Sequence, residues 1–391
     1  MSLFHCISGG LLGAAWFSRV VGAGVGMPSI PDIAKPEWDR SPETPQGTPR
    51  ISIIVPAKNE DPTIAGVLGS LLAMDYPNYE IIAIDDRSTD RTKTRMDEIA
   101  TSPAAAGRLK IVHITELPPR WLGKTHAMWT AGQQATGDWL LFTDADVFFR
   151  SDTLRRAVAY AESERADHLV VFPTLVMKTP GERMMIAFFQ TLFAFGHRPW
   201  KVADPKSKDH MGVGAFNMIR RAAYEKIGTY QALRMEVLDD MKLGKVVKNA
   251  GLAQRNVFGD GLISIHWASG ALGVINNFTK NFFAVMSFQS WRTIGSAIAL
   301  LYLNLMPYVG LGLAQGWSRA GYALALFSIF LIYAGMSLRT KISPLYFLLH
   351  PVSTVLFNYA LLRSMFVTLR DGGVTWRGTK YPLEELKKGL V

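Results

Sequence analysis

The chain has 391 residues, 49% of them hydrophobic and 19% charged, with a formal net charge of +10 at pH 7. That is too apolar for a disordered segment, and a single cysteine, Cys6, excludes an internal disulfide framework and a thiolate metal cluster. The positive balance suits either nucleic acid or the anionic face of a membrane, and long uncharged segments beside the charge favour the membrane, with no nucleic-acid partner expected.

Leu3 to Val25 reads as an apolar helix interrupted by Arg19. Met1 to Phe4 lacks the basic residues that precede a cleaved signal, so residues 1–27 are expected to be a membrane anchor. Pro28 to Pro49, rich in proline, serine and glutamate, predicts an extended linker over 28–49. Apolar runs then alternate with helical patterns through residues 50–270. Strands are expected at Ile51–Val55, Glu80–Ile84, Leu109–Ile114 and Trp139–Thr143, and helices at Thr63–Leu72 and Thr125–Ala135. This alternation predicts a doubly wound α/β sheet, whose ligands sit outside the carboxyl ends of the strands. The acidic clusters fall at those ends. Asp85-Asp86-Arg87-Ser88-Thr89-Asp90 follows the second strand, with Thr89 or Asp90 placed to cap the next helix, and Asp144-Ala145-Asp146 follows the fourth.

A dinucleotide-binding oxidoreductase needs a glycine-rich turn after its first strand, and here that turn is Pro56-Ala57-Lys58-Asn59-Glu60. A diphosphate at this sheet must then be held by cations or a metal. Two carboxylates one residue apart at a strand end can face a hard divalent cation. His113, His126, His168 and His266 show no metal-ligand spacing and are expected to be structural. Asp239-Asp240 precedes a helical pattern at Met241–Lys248, where acidic residues favour the helix dipole in any case.

Asn276 to Trp291 alternates apolar and polar residues at helical spacing, so residues 271–292 are expected to lie on a membrane surface. Residues 293–369 carry only Arg319, Arg339, Lys341 and Arg363 as charges. Ile294–Ala314, Tyr322–Leu338 with its flanks and Leu345–Phe366 each approach the roughly 20 residues a span requires. Pro307 and the His350-Pro351 pair are expected to kink their helices. Three crossings would place the tail, 370–391, opposite the soluble domain, whereas Arg370, Arg377, Lys380, Lys387 and Lys388 favour the cytoplasmic side. One segment is therefore expected to be re-entrant, and the His350-Pro351 break favours the last.

Five motifs in order resemble the family 2 glycosyltransferases of the GT-A fold across about residues 50–292: Val55-Pro-Ala-Lys-Asn-Glu60, Asp85 to Asp90, Gly123-Lys124, Asp144-Ala-Asp146 and Leu238-Asp-Asp240. The resemblance implies a Rossmann-like nucleotide-diphospho-sugar transferase domain that takes a UDP-sugar, uses Mg²⁺ or Mn²⁺ and inverts the transferred centre. It also assigns roles. Pro56 and Ala57 border the uridine, Glu60 and Asp86 contact it, and Lys124 is the donor-site lysine. Asp144, with Ala145 beside it, lies near the ribose or the metal-bound phosphate, and Asp146 ligates the metal. Asp240 is the base, and Asp239 stands where the family usually has Glu. Gly212 to Asn217 and Arg220 to Tyr224 resemble the loop and helix of the acceptor pocket.

Gln289-Ser-Trp291-Arg292 resembles the Gln/Arg-x-x-Arg-Trp motif of lipid glycosyltransferases and processive synthases, with Thr293 where their tryptophan would be. That departure favours single-sugar transfer. Gly372 to Tyr381 resembles a tail motif of the carotenoid-type branch, which implies a tail folded toward the donor cleft, Trp376 covering the site and Arg377 or Lys380 offsetting diphosphate charge. The expected protein is a multi-pass inner-membrane enzyme with a cytoplasmic catalytic domain. It would glycosylate the hydroxyl of a membrane lipid, resembling the hopanoid-associated and carotenoid glycosyltransferases and, more distantly, ceramide glucosyltransferase. A processive polysaccharide synthase and a non-catalytic membrane protein that keeps the fold are the alternatives.

Overall fold

The computed structural model describes residues 2–42, 44 and 47–391; Met1 of the expected anchor and Glu43, Pro45 and Gln46 of the expected linker lie outside the described residues. In chain order the elements are α1 (Ser2–Gly26), β1 (Ile51–Ala57), α2 (Ile64–Leu72), β2 (Tyr79–Asp86), α3 (Thr92–Ala100), β3 (Leu109–Ile114), α4 (Gly123–Gln134), β4 (Trp139–Phe142) and β5 (Val147–Phe149). Next come α5 (Thr153–Ser163), β6 (His168–Phe172), β7 (Thr174–Leu175), α6 (Pro180–Gly196), β8 (Asn217–Arg220), α7 (Arg221–Lys226), α8 (Asp239–Asn249), β9 (Gln254–Phe258) and β10 (Ile263–Ile265). The last are α9 (Gly270–Val285), α10 (Ser290–Leu313), α11 (Arg319–Thr340), α12 (His350–Arg370), β11 (Gly373–Trp376), β12 (Thr379–Pro382) and α13 (Leu383–Lys388). They divide into a sheet unit (Ile30–Val176, Lys201–His266 and Thr375–Val391) and a helical unit made of the remainder.

The sheet unit is built on seven strands in the order β3-β2-β1-β4-β8-β6-β9. β1 pairs in parallel with β2 on one side and β4 on the other, so the winding direction reverses between β1 and β4. That switch point is where a cleft opens beyond the carboxyl ends of the strands. β8 runs antiparallel to both β4 and β6, which makes the sheet mixed. β1 continues two residues past the expected stop. Pro56 can be accommodated because it lies beyond the last β1–β4 pair, Ile54 with Phe142, where the missing N–H costs that ladder nothing. One face of the sheet is covered by a core that joins Ile54, Ile82, Ile84, Leu140 and Phe142 to Ala127, Met128 and Ala131 of α4 and Leu243 and Val247 of α8. A small second sheet, β5-β10-β7, lies within the same unit.

The segment expected as an extended linker is pinned over its first part. Asp32 and Phe258 form a bridge that extends β9, and Ile33 is fully buried. The Arg156 guanidinium, 5% exposed, donates to the carbonyls of Ile33, Ala34 and Lys35 and pairs with Asp39 and Asp152. A buried guanidinium with its donors met in this way is a strong local tie.

The helical unit contains four helices long and apolar enough to cross a membrane, among the described residues: Leu3–Ser29, Ser290–Leu313, Gly316–Thr340 and Pro344–Arg370. α1 lies close against α11, where added Cβ atoms on Gly9, Gly13 and Gly321 would strike the opposite helix, so the backbones approach as small residues permit. The single interfacial helix expected through Arg292 is two helices instead. α9 ends at Val285, and Ser287 and Phe288 take left-handed φ of 55° and 56° before α10 begins. Trp291 and Arg292 therefore belong to the first turn of α10. Pro307 lies inside α10, and Pro351 occupies the start of α12 after a 3₁₀ turn at Pro344–Leu349, so the expected break falls there.

Replacing Arg156 by Ala strands three carbonyls and leaves Asp39 with Arg155 as its ion-pair partner. A loss of about 2–3 kcal/mol of unfolding free energy is expected, on the scale of hydrogen bonds to charged groups. Residues 30–42 should also become sensitive to limited proteolysis; unchanged denaturant midpoint and digestion pattern would mean that the segment is held by other contacts.

Candidate active site

The carboxyl ends of β1, β2 and β4 bring together the residues that the sequence singled out after each strand. β1 leads into Lys58-Asn59-Glu60, with Asn59 in a left-handed turn at φ 56°. That loop is stapled to the loop after β2: Asn59 N donates to Ser88 Oγ (3.0 Å), Glu60 N to Thr92 Oγ1 (2.7 Å) and Thr89 N to Asn59 Oδ1 (2.8 Å). Asp86 is buried and accepts two bonds from the Arg87 guanidinium, at 2.7 and 3.0 Å. Asp90, rather than Thr89, serves the start of α3, taking Thr92 N at 2.9 Å.

At the centre, Lys124 of α4 reaches two carboxylates that are far apart in the chain. Its Nζ lies 2.8 Å from Asp144 Oδ1 and 3.4 Å from Asp239 Oδ1. Burial alone would lower the pKa of this ammonium, but Asp144, Asp239 and Asp240 outweigh it and hold Lys124 above the ordinary lysine range. Burial raises Asp239 to about 7 against the pull of Lys124, with Asp240 and Asp144 adding to the rise. Burial raises Asp240 as well, opposed by Lys124 and by the N–H groups of Met241 and Gly214, which donate to its two oxygens at 2.7 and 2.9 Å.

Glycines make this approach possible. A Cβ on Gly214 would lie 2.4 Å from Asp144 Oδ2, one on Gly212 would lie 1.7 Å from the carbonyl oxygen of Asp240, and one on Gly123 would lie 2.2 Å from Asp86 Oδ2. The loop Gly212–Asn217 thus lies against both acidic pairs. Behind it a polar relay runs through the sheet. Gln254 Nε2 donates to His168 Nδ1 (2.8 Å), His168 Nε2 donates to Asn217 Oδ1 (2.7 Å), and Asn217 Nδ2 donates to the Asp240 carbonyl (3.4 Å). Burial lowers the pKa of His168 to about 4, so the ring is neutral, as this pattern requires. His168 is structural, in keeping with the absence of metal-ligand spacing. Asn217 and Gln254 were not recognisable as supports, because their roles depend on strand pairing.

Asp146 differs from its neighbours. Its Oδ1 is buried without a hydrogen-bond partner, and burial, with Asp144 and Glu60 close by, raises its carboxyl to about 7. A partnerless carboxylate oxygen beside a second carboxylate fits a divalent cation, which would relieve both the desolvation and the repulsion. Among the described residues no group of three or more His, Cys, Asp or Glu side chains could hold a metal. The pair therefore suits an ion such as Mg²⁺ or Mn²⁺ that completes its shell with phosphate oxygens and water.

The tail also reaches this end of the sheet. Arg377, at φ 49°, donates to the Lys58 carbonyl (2.9 Å) and pairs with Glu60, whose carboxyl is raised by burial and lowered by Arg377. Lys58 Nζ donates to Thr379 Oγ1 (3.1 Å), and Tyr381 Oη accepts from Gly123 N at 3.0 Å, meeting one of the open donors at the start of α4. Lys380 is exposed and Trp376 half-buried. Tyr381 closes the Gly372–Tyr381 segment, and its partner lies 258 positions away, beyond the reach of a local pattern. Gln289, Trp291 and Arg292 belong to the helical unit, where Arg292 lies over the exposed Trp291 ring at 5.3 Å.

A carboxyl whose folded-state pKa exceeds its unfolded value holds its proton more tightly when folded, so its contribution to stability is lost as pH rises through the folded value. For Asp146 that value is about 7. The metal-free protein is expected to lose thermal stability as pH rises from the ordinary carboxyl value of 3.8 toward about 7, and Asp146→Asn to flatten that loss. Parallel melting-temperature profiles for the two proteins would show that Asp146 is ordinary.

Residues 52–228 match the sequence model described as Glycosyl transferase family 2. A 4,4'-diaponeurosporenoate glycosyltransferase of Staphylococcus aureus (strain MRSA252) is 21% identical over 343 residues, covering 86% of this chain and 89% of that protein. The protein of the same name from Staphylococcus haemolyticus (strain JCSC1435) is 25% identical over 239 residues, 60% of this chain and 61% of its own length. A mannosyltransferase from Pyrobaculum calidifontis, solved in complex with GDP-Man and Mn²⁺, is 20% identical and shares the fold with a TM-score of 0.55, over 94% of this chain and 99% of that one. Residues 52–228, with their mixed sheet and acidic switch-point cluster, are thus a family 2 glycosyltransferase domain on a GT-A-like fold.

Proposed function

We propose that the protein transfers one sugar from a nucleotide-diphospho-sugar, most simply a UDP-sugar, to a hydroxyl of a membrane lipid, with inversion at the transferred carbon. The observation that carries this reading is the Lys124 cluster: an ammonium between Asp144 at the end of β4 and Asp239 before α8, with Asp240 beside them and Asp146 Oδ1 partnerless. Pro56, Ala57, Glu60 and Asp86 line the nucleotide end, and Lys124, Asp144 and Ala145 the sugar-phosphate end. Asp144 and Asp146 would hold the divalent cation, which when bound supplies positive charge to the departing diphosphate.

Asp240 is the base. Both of its oxygens accept backbone N–H bonds, which aim the carboxylate, and burial raises its pKa, which makes it a stronger base than an exposed carboxylate. The acceptor oxygen forms a bond to the sugar's anomeric carbon, the bond from that carbon to the diphosphate oxygen breaks, and the hydroxyl proton passes to Asp240. Asp239 stays with Lys124 and fixes the ammonium. Arg377, already beside Glu60, is placed to turn toward a bound diphosphate, and Trp376 and Lys380 flank it on the same hairpin. The four apolar helices support a multi-pass membrane location with the sheet unit in the cytoplasm, and Gln289, Trp291 and Arg292 suit the acceptor side at the lipid interface. The staphylococcal relatives, named for diaponeurosporenoate, support an apolar acceptor of carotenoid type; that name denotes a carboxylate, so the hydroxyl acceptor rests on the base at Asp240 and not on these relatives.

Membranes containing the protein, given Mn²⁺ and a panel of radiolabelled UDP-sugars with GDP-mannose beside them, are expected to form one lipid bearing one sugar, identified by mass spectrometry. A ladder of products would favour a polysaccharide synthase, and no transfer from any donor would favour the non-catalytic reading. In the same assay Asp240→Asn should lower turnover by about 100-fold with donor affinity unchanged. Arg377→Ala should instead raise the donor KM by about tenfold with kcat nearly constant, the effect of losing one charge-assisted contact; an unchanged KM would leave the tail without a part in donor binding.

A further inference from the structure

We infer that residues 341–363 form a re-entrant hairpin that enters one leaflet, turns at His350 near mid-depth and leaves by the face it entered, so that α12 is not a full span. This rests on reading the helical unit as membrane-embedded. Helix directions follow from contacts at known positions along each helix. α10 and α11 are joined by five residues and meet at Gly310 with Tyr322, so they run antiparallel. α12 is antiparallel to α10 as well. His350 Nε2 donates to Asn304 Oδ1 at 3.0 Å, and Asn358 Nδ2 donates to the Ala297 carbonyl at 2.8 Å, so positions rise on one helix as they fall on the other. α11 and α12 therefore point the same way, toward the face at which α10 begins. Two consecutive helices pointing the same way require the chain between them to travel back.

The returning segment does not travel back all the way. Tyr333 Oη donates to His350 Nδ1 at 3.1 Å, and Phe347 lies against Phe330, so the start of α12 is level with a point seven residues before the end of α11 at Thr340. That is a dip of about 10 Å at 1.5 Å per residue. On the way out, Arg363 Nη1 donates to Asn276 Oδ1 (3.1 Å), and Ser364 Oγ accepts from Phe283 N (2.9 Å) in the last turn of α9, the helix that leads into α10. From His350 to Arg363 the helix rises about 20 Å, short of the roughly 30 Å of a hydrocarbon core. The tip is also chemically unlike a loop in water. His350 is fully buried between Asn304 and Tyr333, while Leu345, Leu348, Leu349, Val352 and Val355 are exposed and no charge lies between Ile342 and Leu362. That outward face fits the acyl chains of a single leaflet, and the 3₁₀ turn Pro344–Leu349 keeps its backbone bonded on the way in. Asn304, His350 and Tyr333 close the tip with every ring nitrogen partnered.

The test is cysteine accessibility in a Cys6→Ser background, with an impermeant maleimide applied to intact cells and to permeabilised cells. Single substitutions Lys93→Cys, Gln315→Cys, Lys341→Cys and Lys388→Cys place the label at exposed positions in the sheet unit, between α10 and α11, between α11 and α12, and in the tail. The hairpin requires Lys341 and Lys388 to label from the same side as Lys93, and Gln315 from the other. Labelling of Lys341 and Lys388 from opposite sides makes α12 a full span and overturns the hairpin while leaving the membrane reading intact. Extraction of the protein by alkaline carbonate, with all four positions labelling from one and the same side, overturns the membrane reading itself.

Discussion

One buried ammonium has to satisfy carboxylates that reach it from opposite parts of the chain, and the layout of the sheet unit follows from that requirement. Lys124 meets Asp144 and Asp239, with Asp240 adding to the field. Three carboxylates gathered in a half-buried cluster repel one another and prefer their protons, and a single lysine offsets only part of that. Burial, with repulsion from neighbouring carboxylates added to it, raises Asp239 and Asp146. Such a site is suited to accept more positive charge, as the proposed cation would supply, and the partnerless Asp146 oxygen lies where carboxylates crowd without a hydrogen-bond donor.

Holding the acidic groups at this spacing needs rigid supports that are not themselves charged. The backbone supplies them. Gly212 and Gly214 let the loop before β8 pass within contact of Asp240 and Asp144, and the Gly214 N–H donates to the Asp240 carboxylate. The neutral relay of Gln254, His168 and Asn217 carries this support across three strands without adding a charge. Tyr381 does similar work from the tail, meeting the first N–H of the helix that presents Lys124. A satisfied polar chain in a buried sheet fixes one arrangement and disfavours others, which is what a site requiring sub-ångström placement needs.

The helical unit solves a different problem. Apolar helices gain little from hiding hydrophobic surface when the surroundings are apolar too, so packing and hydrogen bonds must specify the arrangement. Here α1 and α11 touch through Gly9, Gly13 and Gly321, Trp16 Nε1 donates to the Leu303 carbonyl, and His350 joins α10, α11 and α12 through Asn304 and Tyr333. The proline that begins α12 sits where the chain changes from 3₁₀ turn to α-helix, so the sequence break and the geometric reversal coincide.

Much of this was legible in the residues. Apolar runs ended where acidic clusters began, and because a strand's side chains alternate while its end opens to a cleft, the pattern alone placed Asp85–Asp86 and Asp144–Asp146 at the carboxyl edge. The helices of the C-terminal region were equally plain, since length and lack of charge are local properties. What the sequence could not carry were the relations between segments. The antiparallel insertion of β8, the meeting of Lys124 with Asp239, the neutral relay behind Asp240 and the tail hydroxyl of Tyr381 on Gly123 join positions tens to hundreds of residues apart, and no local pattern encodes which partner a side chain will find. The break at Ser287 and Phe288 has no local signal because helical periodicity continues across it, whereas left-handed backbone at two non-glycine residues is imposed by packing. Residue types and their periods determined the fold class and the candidate chemistry; strand order, helix direction and the pairing of charges were decided only when the chain closed on itself, because those depend on distances in space that sequence separation does not constrain.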